Sequence, residues 1–187
     1  MSQKIIHPTD FIEMPWSNGG GTTFEIFRGS GLSVTGGDDW DWRLSLAHID
    51  RSGPFSSLPG IDRIFVSLGA DDINLRIDGA DSRVAPNDVR EFPGEASVSA
   101  TLLGGPTRDL NLMGRRGKVT LRCQVGEGAW DVQPWEVLAL YAWPGIADAH
   151  IGELSAPDGS VGLLERPEAE SVAFRGGVCF AIQDTFN

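Results

Sequence analysis

Three segments of the sequence combine glycine, proline and aromatic residues with polar side chains that can bind a small ligand. The first of them reads Pro15-Trp16-Ser17-Asn18-Gly19-Gly20-Gly21-Thr22. Consecutive glycines allow a positive φ, and their N–H groups can approach an anionic ligand closely. The Gly-Lys-Ser/Thr ending of a phosphate-binding P-loop is missing. The segment is therefore either a ligand-contacting loop or a glycine-rich turn that leads into a strand.

Two arginines lie in segments that alternate between polar and apolar residues. Arg43 and Ser45 alternate with Trp42 and Leu44, so the two polar side chains share one face of a strand. Arg63 begins a second alternating run. A strand arginine beside small polar residues can offer a bidentate guanidinium to a carboxylate. A solvated or salt-bridged arginine is the alternative at either position.

The third segment contains a carboxylate and an amide on the same face of a predicted strand. Asp109 and Asn111 alternate with Leu110 and Leu112. An asparagine inside a barrel supplies both a donor and an acceptor, which suits an amide or carboxylate ligand. A polar strand face turned toward water is the alternative.

Metal and nucleophilic chemistry have less support from the residue spacing. None of His7, His48 and His150 has a second ligand at a recognised spacing, so we expect no metal and no cofactor. The Gly-x-Ser-x-Gly motif of serine hydrolases is missing. Cys123 and Cys179 lie in apolar runs, which favours buried free thiols over a disulfide or redox pair.

Short runs of alternating polar and apolar residues must position these segments. No segment keeps helical spacing for ten or more residues, so we predict an all-β sandwich or barrel with little helix. The number of strands exceeds what one eight-stranded jelly roll requires, which favours two stacked jelly rolls. The predicted strands are Thr23–Phe27, Trp42–Ile49, Arg63–Leu68, Ile73–Ile77, Val98–Leu102, Leu110–Met113, Val119–Cys123, Val137–Tyr141, Ser171–Phe174 and Val178–Ile182.

The composition of this chain of 187 residues limits the kinds of partner that it can bind. Its 15 Lys and Arg against 26 Asp and Glu give a net charge of −11, which disfavours nucleic acid and anionic membranes. No apolar stretch approaches the roughly 20 residues of a membrane-spanning helix, and the N-terminus does not resemble a signal peptide. We therefore expect a cytoplasmic protein. We divide it into residues 1–117, an N-terminal segment plus a first jelly-roll unit, and 118–187, a second jelly-roll unit.

Taken together and in this order, the three segments resemble the HutD family, also called HutD/Ves. The resemblance covers roughly residues 5–120 and continues beyond Val125 in pattern only. It implies a cupin-like fold with two jelly-roll units and a role in bacterial histidine utilisation. The His-x-His…Glu metal pattern of many enzymatic cupins is missing. The residues that carry the resemblance are Pro15 to Thr22 with Glu25, Trp42, Arg43 and Ser45, Gly53 to Ser56, Pro59, Gly60, Asp62 and Arg63, and Asp109 to Met113.

The resemblance and the polar residues together predict a protein that binds or senses a small acidic metabolite, with N-formylglutamate as the leading candidate. One or both arginines would pair with a ligand carboxylate, while asparagine and glycine-loop N–H groups would bond the acyl amide. The expected ligand-binding residues are Trp16, Asn18, Gly19, Gly20, Thr22, Arg43, Ser45, Arg63 and Asn111.

Two other functions stay open at this point. One is a metal-independent isomerase or hydrolase in which Glu25 or Asp109 acts as a general base. The other is an interaction protein that recruits a partner through Trp130, Trp135 and Trp143, although large aromatic residues more often belong to a core. The sequence also leaves a homodimer open.

Overall fold

The computed structural model describes residues 2–31, 33–35, 39–133 and 136–185 of the chain. These residues form antiparallel β-sheets and, as helix, a single 3-10 turn at Pro8–Asp10. The predicted all-β fold is therefore confirmed. Within the same residues, no helix has the length and apolar character needed to cross a membrane.

The strands are short and separated by turns rich in glycine and proline, as the alternating runs predict. Their bounds are β1 (Ser2–Ile6), β2 (Ile12–Pro15), β3 (Gly21–Ser30), β4 (Ser33–Thr35), β5 (Trp42–Ile49), β6 (Gly53–Pro54), β7 (Ile61–Ser67), β8 (Ile73–Ile77), β9 (Ala80–Val84), β10 (Val89–Pro93), β11 (Val98–Leu102), β12 (Thr107–Arg115), β13 (Val119–Asp131), β14 (Glu136–Ala142), β15 (His150–Ile151), β16 (Leu154–Ser155), β17 (Val161–Glu165) and β18 (Ser171–Asp184).

The chain divides into two compact units, each made of more than one stretch of sequence. The first unit contains Met1–Phe11, Ile26–Trp42 and Gly117–Asn187, and the second contains Ile12–Glu25 and Arg43–Arg116. Strand β1 belongs to the first unit because it pairs along its whole length with β17. The division into residues 1–117 and 118–187 stays a prediction.

In the first unit, a sheet in the order β1-β17-β14-β18-β15-β16 carries β13 as an additional partner of β18. Strand β14 is buried along its whole length, which accounts for its nearly continuous apolar sequence. Trp130 is 4% exposed and packs in the core of this unit, with its ring centroid 6.4 Å from that of Phe174. Trp143 is half-buried, and Trp135 lies outside the described residues.

The second unit is a sandwich of two sheets. One has the order β6-β11-β8-β9, and the other contains β10, β7, β12, β5, the residues of β3 up to Glu25, and β2, in that order. Apolar residues from both sheets form one core, to which β7 contributes Phe65 and β10 contributes Phe92. Because residues two apart on a strand share a face, Arg63 on β7 projects to the same side as Phe65. Part of the inner face of this sheet is therefore polar.

Several strands have the predicted bounds, whereas the longest strand was predicted as two. Trp42–Ile49, Ile73–Ile77 and Val98–Leu102 have the predicted bounds, whereas Ser171–Phe174 and Val178–Ile182 are parts of the single strand β18. The alternation breaks there because Gly176 adopts a positive φ of 78° and β13 carries a register shift opposite it. Strands of two residues, such as β6 and β16, are too short to show a period.

Candidate functional site

A cavity of about 300 Å³ opens inside the second unit, and we call it the central cavity. Its volume lies at the low end of the range for small-molecule sites, which suits a small metabolite. Strands β3, β5, β7 and β12 supply most of its polar residues. Its lining consists of Trp16, Ser17, Asn18, Thr23, Arg43, Ser45, Ala47, Phe55, Ser56, Leu58, Arg63, Asp109, Asn111 and Met113.

Strand alternation and register bring the polar residues of β7 and β12 together. In the antiparallel pairing of these strands, Met113 lies opposite Arg63 and Asn111 lies opposite Phe65. Asp109, Asn111 and Met113 therefore project to the same side as Arg63, while Leu110 and Leu112 are fully buried on the other face. The predicted faces of this strand are confirmed.

The Arg63 guanidinium is almost completely buried, with only 6% of the residue exposed. Its Nε and Nη2 atoms donate hydrogen bonds to Asn111 Oδ1 at 3.2 and 2.8 Å. Its Cζ lies 5.3 Å from the ring centroid of Phe55 and 5.1 Å from that of Phe92. Such cation–π contacts hold a guanidinium in place without neutralising its charge. No described carboxylate lies within ion-pair distance of Arg63.

Asp109 stands at the other end of this hydrogen-bonded chain. Asn111 Nδ2 donates to Asp109 Oδ1, which fixes the orientation of the Asn111 amide. Burial raises the pKa of Asp109 to about 7, although the Arg63 charge and the Asn111 hydrogen bond both favour the ionised form. Burial likewise lowers the pKa of Arg63 to about 10, against the attraction of Asp109. The guanidinium stays charged at neutral pH, whereas Asp109 is close to half-protonated.

Arg43 brings a second guanidinium to the cavity from β5. Its Nη2 lies 3.4 Å from the Met113 sulfur, and its Nη1 lies 3.8 Å from Glu25 Oε2. The Arg43 side chain keeps 21% of its surface exposed, while that of Glu25 keeps 5%. The cavity thus contains two guanidinium groups, one of which faces the Glu25 carboxylate, together with the carboxyl group of Asp109.

The glycine-rich segment forms a tight loop before β3. Gly19 adopts a positive φ of 65°, and the Gly20 N–H donates to Asn18 Oδ1 at 2.8 Å. A Cβ atom on Gly21 would lie only 2.2 Å from the His48 carbonyl oxygen, so the residue must be glycine for β3 to approach β5. Trp16 is held beside the cavity by a 2.8 Å hydrogen bond from its Nε1 to Thr23 Oγ1.

Most of the expected ligand-binding residues converge on this one cavity. Trp16, Asn18, Arg43, Ser45, Arg63 and Asn111 all line it. Three others, Gly19, Gly20 and Thr22, do not. Their participation in ligand binding stays a prediction.

Thr23 takes the place at the cavity wall that we expected for Thr22. On a strand, Thr23 shares its face with Glu25, whereas Thr22 points to the opposite side. The alternation of Thr23, Phe24 and Glu25 in the sequence was sufficient to select Thr23. Phe92 was missed for a different reason, because it lies on a separate strand and reaches Arg63 only through the pairing of β10 with β7.

The described residues include no group of three His, Cys, Asp or Glu side chains that could hold a metal ion. The absence of a metal in the functional protein stays a prediction. Neither cysteine forms a disulfide bond; Cys179 is buried and Cys123 is partly buried. Burial raises the pKa of the Cys179 thiol, which leaves it protonated and unreactive at neutral pH.

Known proteins that are related in sequence align with most of the length of this chain. A sequence model of the family HutD matches residues 8–176. An uncharacterised 21.2 kDa protein in the hutC 3′ region of Pseudomonas putida is 44% identical over 130 residues, which are 68% of this chain and 67% of that protein. Protein Ves of Citrobacter koseri is 31% identical over 123 residues, 63% of this chain and 62% of Ves. The matching stretch thus spans less than two thirds of Ves.

Several solved structures have a similar fold over nearly the whole length of this chain. HutD from Pseudomonas fluorescens SBW25, in a formate condition, has a TM-score of 0.83 and 27% identity, covering 98% of this chain and 99% of that one. A conserved protein of unknown function from Pseudomonas aeruginosa PAO1 has a TM-score of 0.80 and 27% identity, with 98% of each chain covered. YhhW from Escherichia coli, with a TM-score of 0.68, 5% identity and 97% of each chain covered, shares the fold alone. The predicted cupin-like double jelly roll is confirmed.

Proposed function

Because this chain belongs to the HutD family, we propose that it binds a small acidic intermediate of histidine degradation, with N-formylglutamate as the leading candidate. We further propose that it acts as a binding or regulatory protein of histidine utilisation. The names of two relatives, HutD and a protein in the hutC 3′ region, support the pathway.

One observation supports a ligand that has a carboxylate group. Arg63 is buried in the central cavity and is hydrogen-bonded to an amide oxygen, with no described carboxylate within ion-pair distance. A buried charge without a charged partner is costly, and a ligand carboxylate that pairs with it removes that cost. The Nε edge of Arg63 is occupied by Asn111, so the Nη1 side remains for the ligand. Arg43 in the same cavity supplies a guanidinium for a second carboxylate.

The rest of the cavity fits the remainder of such a molecule. N-formylglutamate has two carboxylates and one formyl amide, and the cavity offers two guanidinium groups together with polar side chains such as Asn18, Thr23 and Ser45. A cavity of about 300 Å³ leaves little room for a much larger ligand.

Isothermal titration calorimetry tests this proposal directly. The full chain is titrated with N-formylglutamate, urocanate and histidine, and with glutarate, which has two carboxylates and no amide. We expect N-formylglutamate to bind most tightly, glutarate more weakly, and histidine least because it lacks the second carboxylate. The Arg63→Met variant should lose this binding, while Arg116→Met, which changes an exposed arginine outside the cavity, should keep it. An absence of heat or thermal shift with N-formylglutamate, urocanate and glutarate overturns the proposal.

A second candidate function is a metal-independent isomerase or hydrolase. It is favoured by Asp109, whose pKa of about 7 suits general acid–base catalysis at neutral pH and whose side chain lines the cavity. The position of Glu25 suits a general base less well, because its carboxylate lies against Arg43 and the residue does not line the cavity. Proton NMR of N-formylglutamate or urocanate incubated with stoichiometric protein tests this function. Product that forms with the native chain and not with Asp109→Asn supports it, and unchanged substrate excludes it for these compounds.

A further inference from the structure

A second cavity of the second unit, of about 330 Å³, lies where strands β5 and β7 end and β12 begins, and we call it the edge cavity. It shares no lining residue with the central cavity. Four polar side chains line it: His48, Asp50, Thr107 and Arg108. Neither the sequence motifs nor the proposed function uses any of these four.

Thr107 is the first sign that this cavity is built to bind a ligand. The residue is 6% exposed, and its hydroxyl has no hydrogen-bond partner. A buried hydroxyl without a partner destabilises the folded state, and a bound polar group removes that cost. A Cβ atom on Gly69, another lining residue, would lie 2.0 Å from Thr107 Oγ1. The Thr107 hydroxyl therefore packs directly against the Gly69 backbone, in the place that a larger residue would need for its own Cβ atom.

The two charged residues of the cavity, Asp50 and Arg108, are exposed. The Arg108 guanidinium and the Asp50 carboxylate form no hydrogen bond or ion pair with any described residue. Both act on His48, whose ring lies 4.9 Å from that of Phe24. Burial and the Arg108 charge lower the pKa of His48, and Asp50 raises it. A neutral imidazole offers one N–H donor and one acceptor.

We propose that the edge cavity binds a free α-amino acid through both of its charged groups. Arg108 and the Thr107 hydroxyl bind the carboxylate, and Asp50 binds the ammonium group. A ligand with only a carboxylate would face the unpaired charge of Asp50, and one with only an ammonium group would face that of Arg108. The opposite charges of the lining match a zwitterion, and 330 Å³ leaves space for a side chain beyond its charged groups.

Three small probes separate the charge requirements of this site. Glycine, acetate and methylamine are titrated at equal millimolar concentrations into the full chain, and the His48 imidazole resonances are followed by NMR. Glycine is expected to shift these resonances in a saturable way, with acetate and methylamine at least about tenfold weaker. L-amino acids are then compared to define the side-chain preference. Equal binding of acetate overturns the zwitterion proposal in favour of a simple anion site, and no saturable shift with any amino acid overturns the site itself.

Variants then assign the roles of the lining residues. Arg108→Gln should abolish glycine binding, and Asp50→Asn should reduce it to the level of acetate. Arg76→Gln, at an exposed arginine of β8, serves as the matched control. Arg63→Met should leave glycine binding intact, so failure of this proposal and failure of the central-cavity ligand are distinguishable.

Thr107→Val separates binding from structure. Because the Thr107 hydroxyl has no partner within the protein, the replacement should not lower the free energy of unfolding. It should weaken glycine binding about tenfold, since a hydrogen bond to a charged group is lost. A variant that is less stable but binds glycine normally contradicts the role given to Thr107.

Discussion

The two units each contain an arginine stacked on an aromatic ring, and the two arginines have different partners. In the first unit, Arg122 Cζ lies 4.9 Å from the Trp130 ring centroid, and its Nη2 donates directly to the fully buried carboxylate of Glu136. In the second unit, Arg63 stacks on Phe55 and Phe92 but bonds to the neutral amide of Asn111.

This difference separates a structural arginine from one that remains able to bind a ligand. The charge of Arg122 is neutralised inside the protein, so the pair contributes to the folded state and offers little to a ligand. The charge of Arg63 is held in place by rings and an amide, and the carboxylate of its network, Asp109, is reached only through Asn111. A similar sequence context, an arginine in an alternating strand, therefore leads to two roles.

The largest effect on stability is expected from removing the structural arginine. Arg122→Met leaves the Glu136 carboxylate buried without its cation and should lower the free energy of unfolding by about 3 kcal/mol. Urea unfolding followed by fluorescence measures this loss. The double variant Arg122→Met/Glu136→Gln should recover much of it, because no uncompensated charge remains. Equal losses in the single and double variants would contradict a buried ion pair.

Removing the other arginine should affect binding more than stability. Arg63→Met should weaken the N-formylglutamate affinity by about 100-fold, in the range expected when one partner of a buried charge pair is truncated. Its free energy of unfolding should fall less than that of Arg122→Met, because Asp109 can take up a proton and become neutral. Calorimetry measures the N-formylglutamate affinity of Arg63→Met and Arg122→Met, and urea unfolding measures the free energy of unfolding of the same two variants. A ligand affinity that depends on Arg122 rather than Arg63 would reverse the comparison.

The Asp109 carboxyl should make stability depend on pH. Its pKa is raised to about 7 in the folded state, so the folded protein binds more protons than the unfolded chain between about pH 4 and 7. The free energy of unfolding should therefore fall as pH rises through this window, by a few kcal/mol at most. Asp109→Asn should remove this component, as measured by urea unfolding at several pH values. An unchanged pH slope in the variant would show that Asp109 is not the titrating group.

The smallest effect is expected at an exposed arginine. Arg116 Nη2 lies 2.7 Å from Asp62 Oδ1 and its Nη1 lies 2.7 Å from Glu95 Oε1, at the protein surface. Exposed ion pairs contribute little because water and salt screen them. Arg116→Met should shift the midpoint of thermal unfolding less than Arg122→Met does, and the shift should shrink further in high salt. If Arg116→Met lowered the unfolding midpoint as much as Arg122→Met does, and independently of salt, solvent exposure would not explain the difference between the two arginines.

The sequence was sufficient to identify several of the polar residues that line the central cavity. Alternation placed Arg43 with Ser45, and Asp109 with Asn111, on common strand faces, and all four line the central cavity. The same reasoning applied to Arg63 left a solvated side chain open as an alternative, and the structure shows it to be buried. Burial was not predictable because it depends on Phe55 and Phe92, whose rings contact the Arg63 guanidinium from other segments of the chain.

The sequence by itself determined that the protein is all-β, that its glycine-rich and arginine-bearing segments belong together, and that its net charge of −11 disfavours polyanionic partners. These properties follow from local spacing and composition, which the chain carries in any conformation. Only the tertiary structure decided which arginine pairs with a carboxylate and which one bonds to an amide, and that burial raises the pKa of Asp109 to about 7. Burial and ion pairing depend on strand register and on rings from distant strands, and no local pattern encodes them.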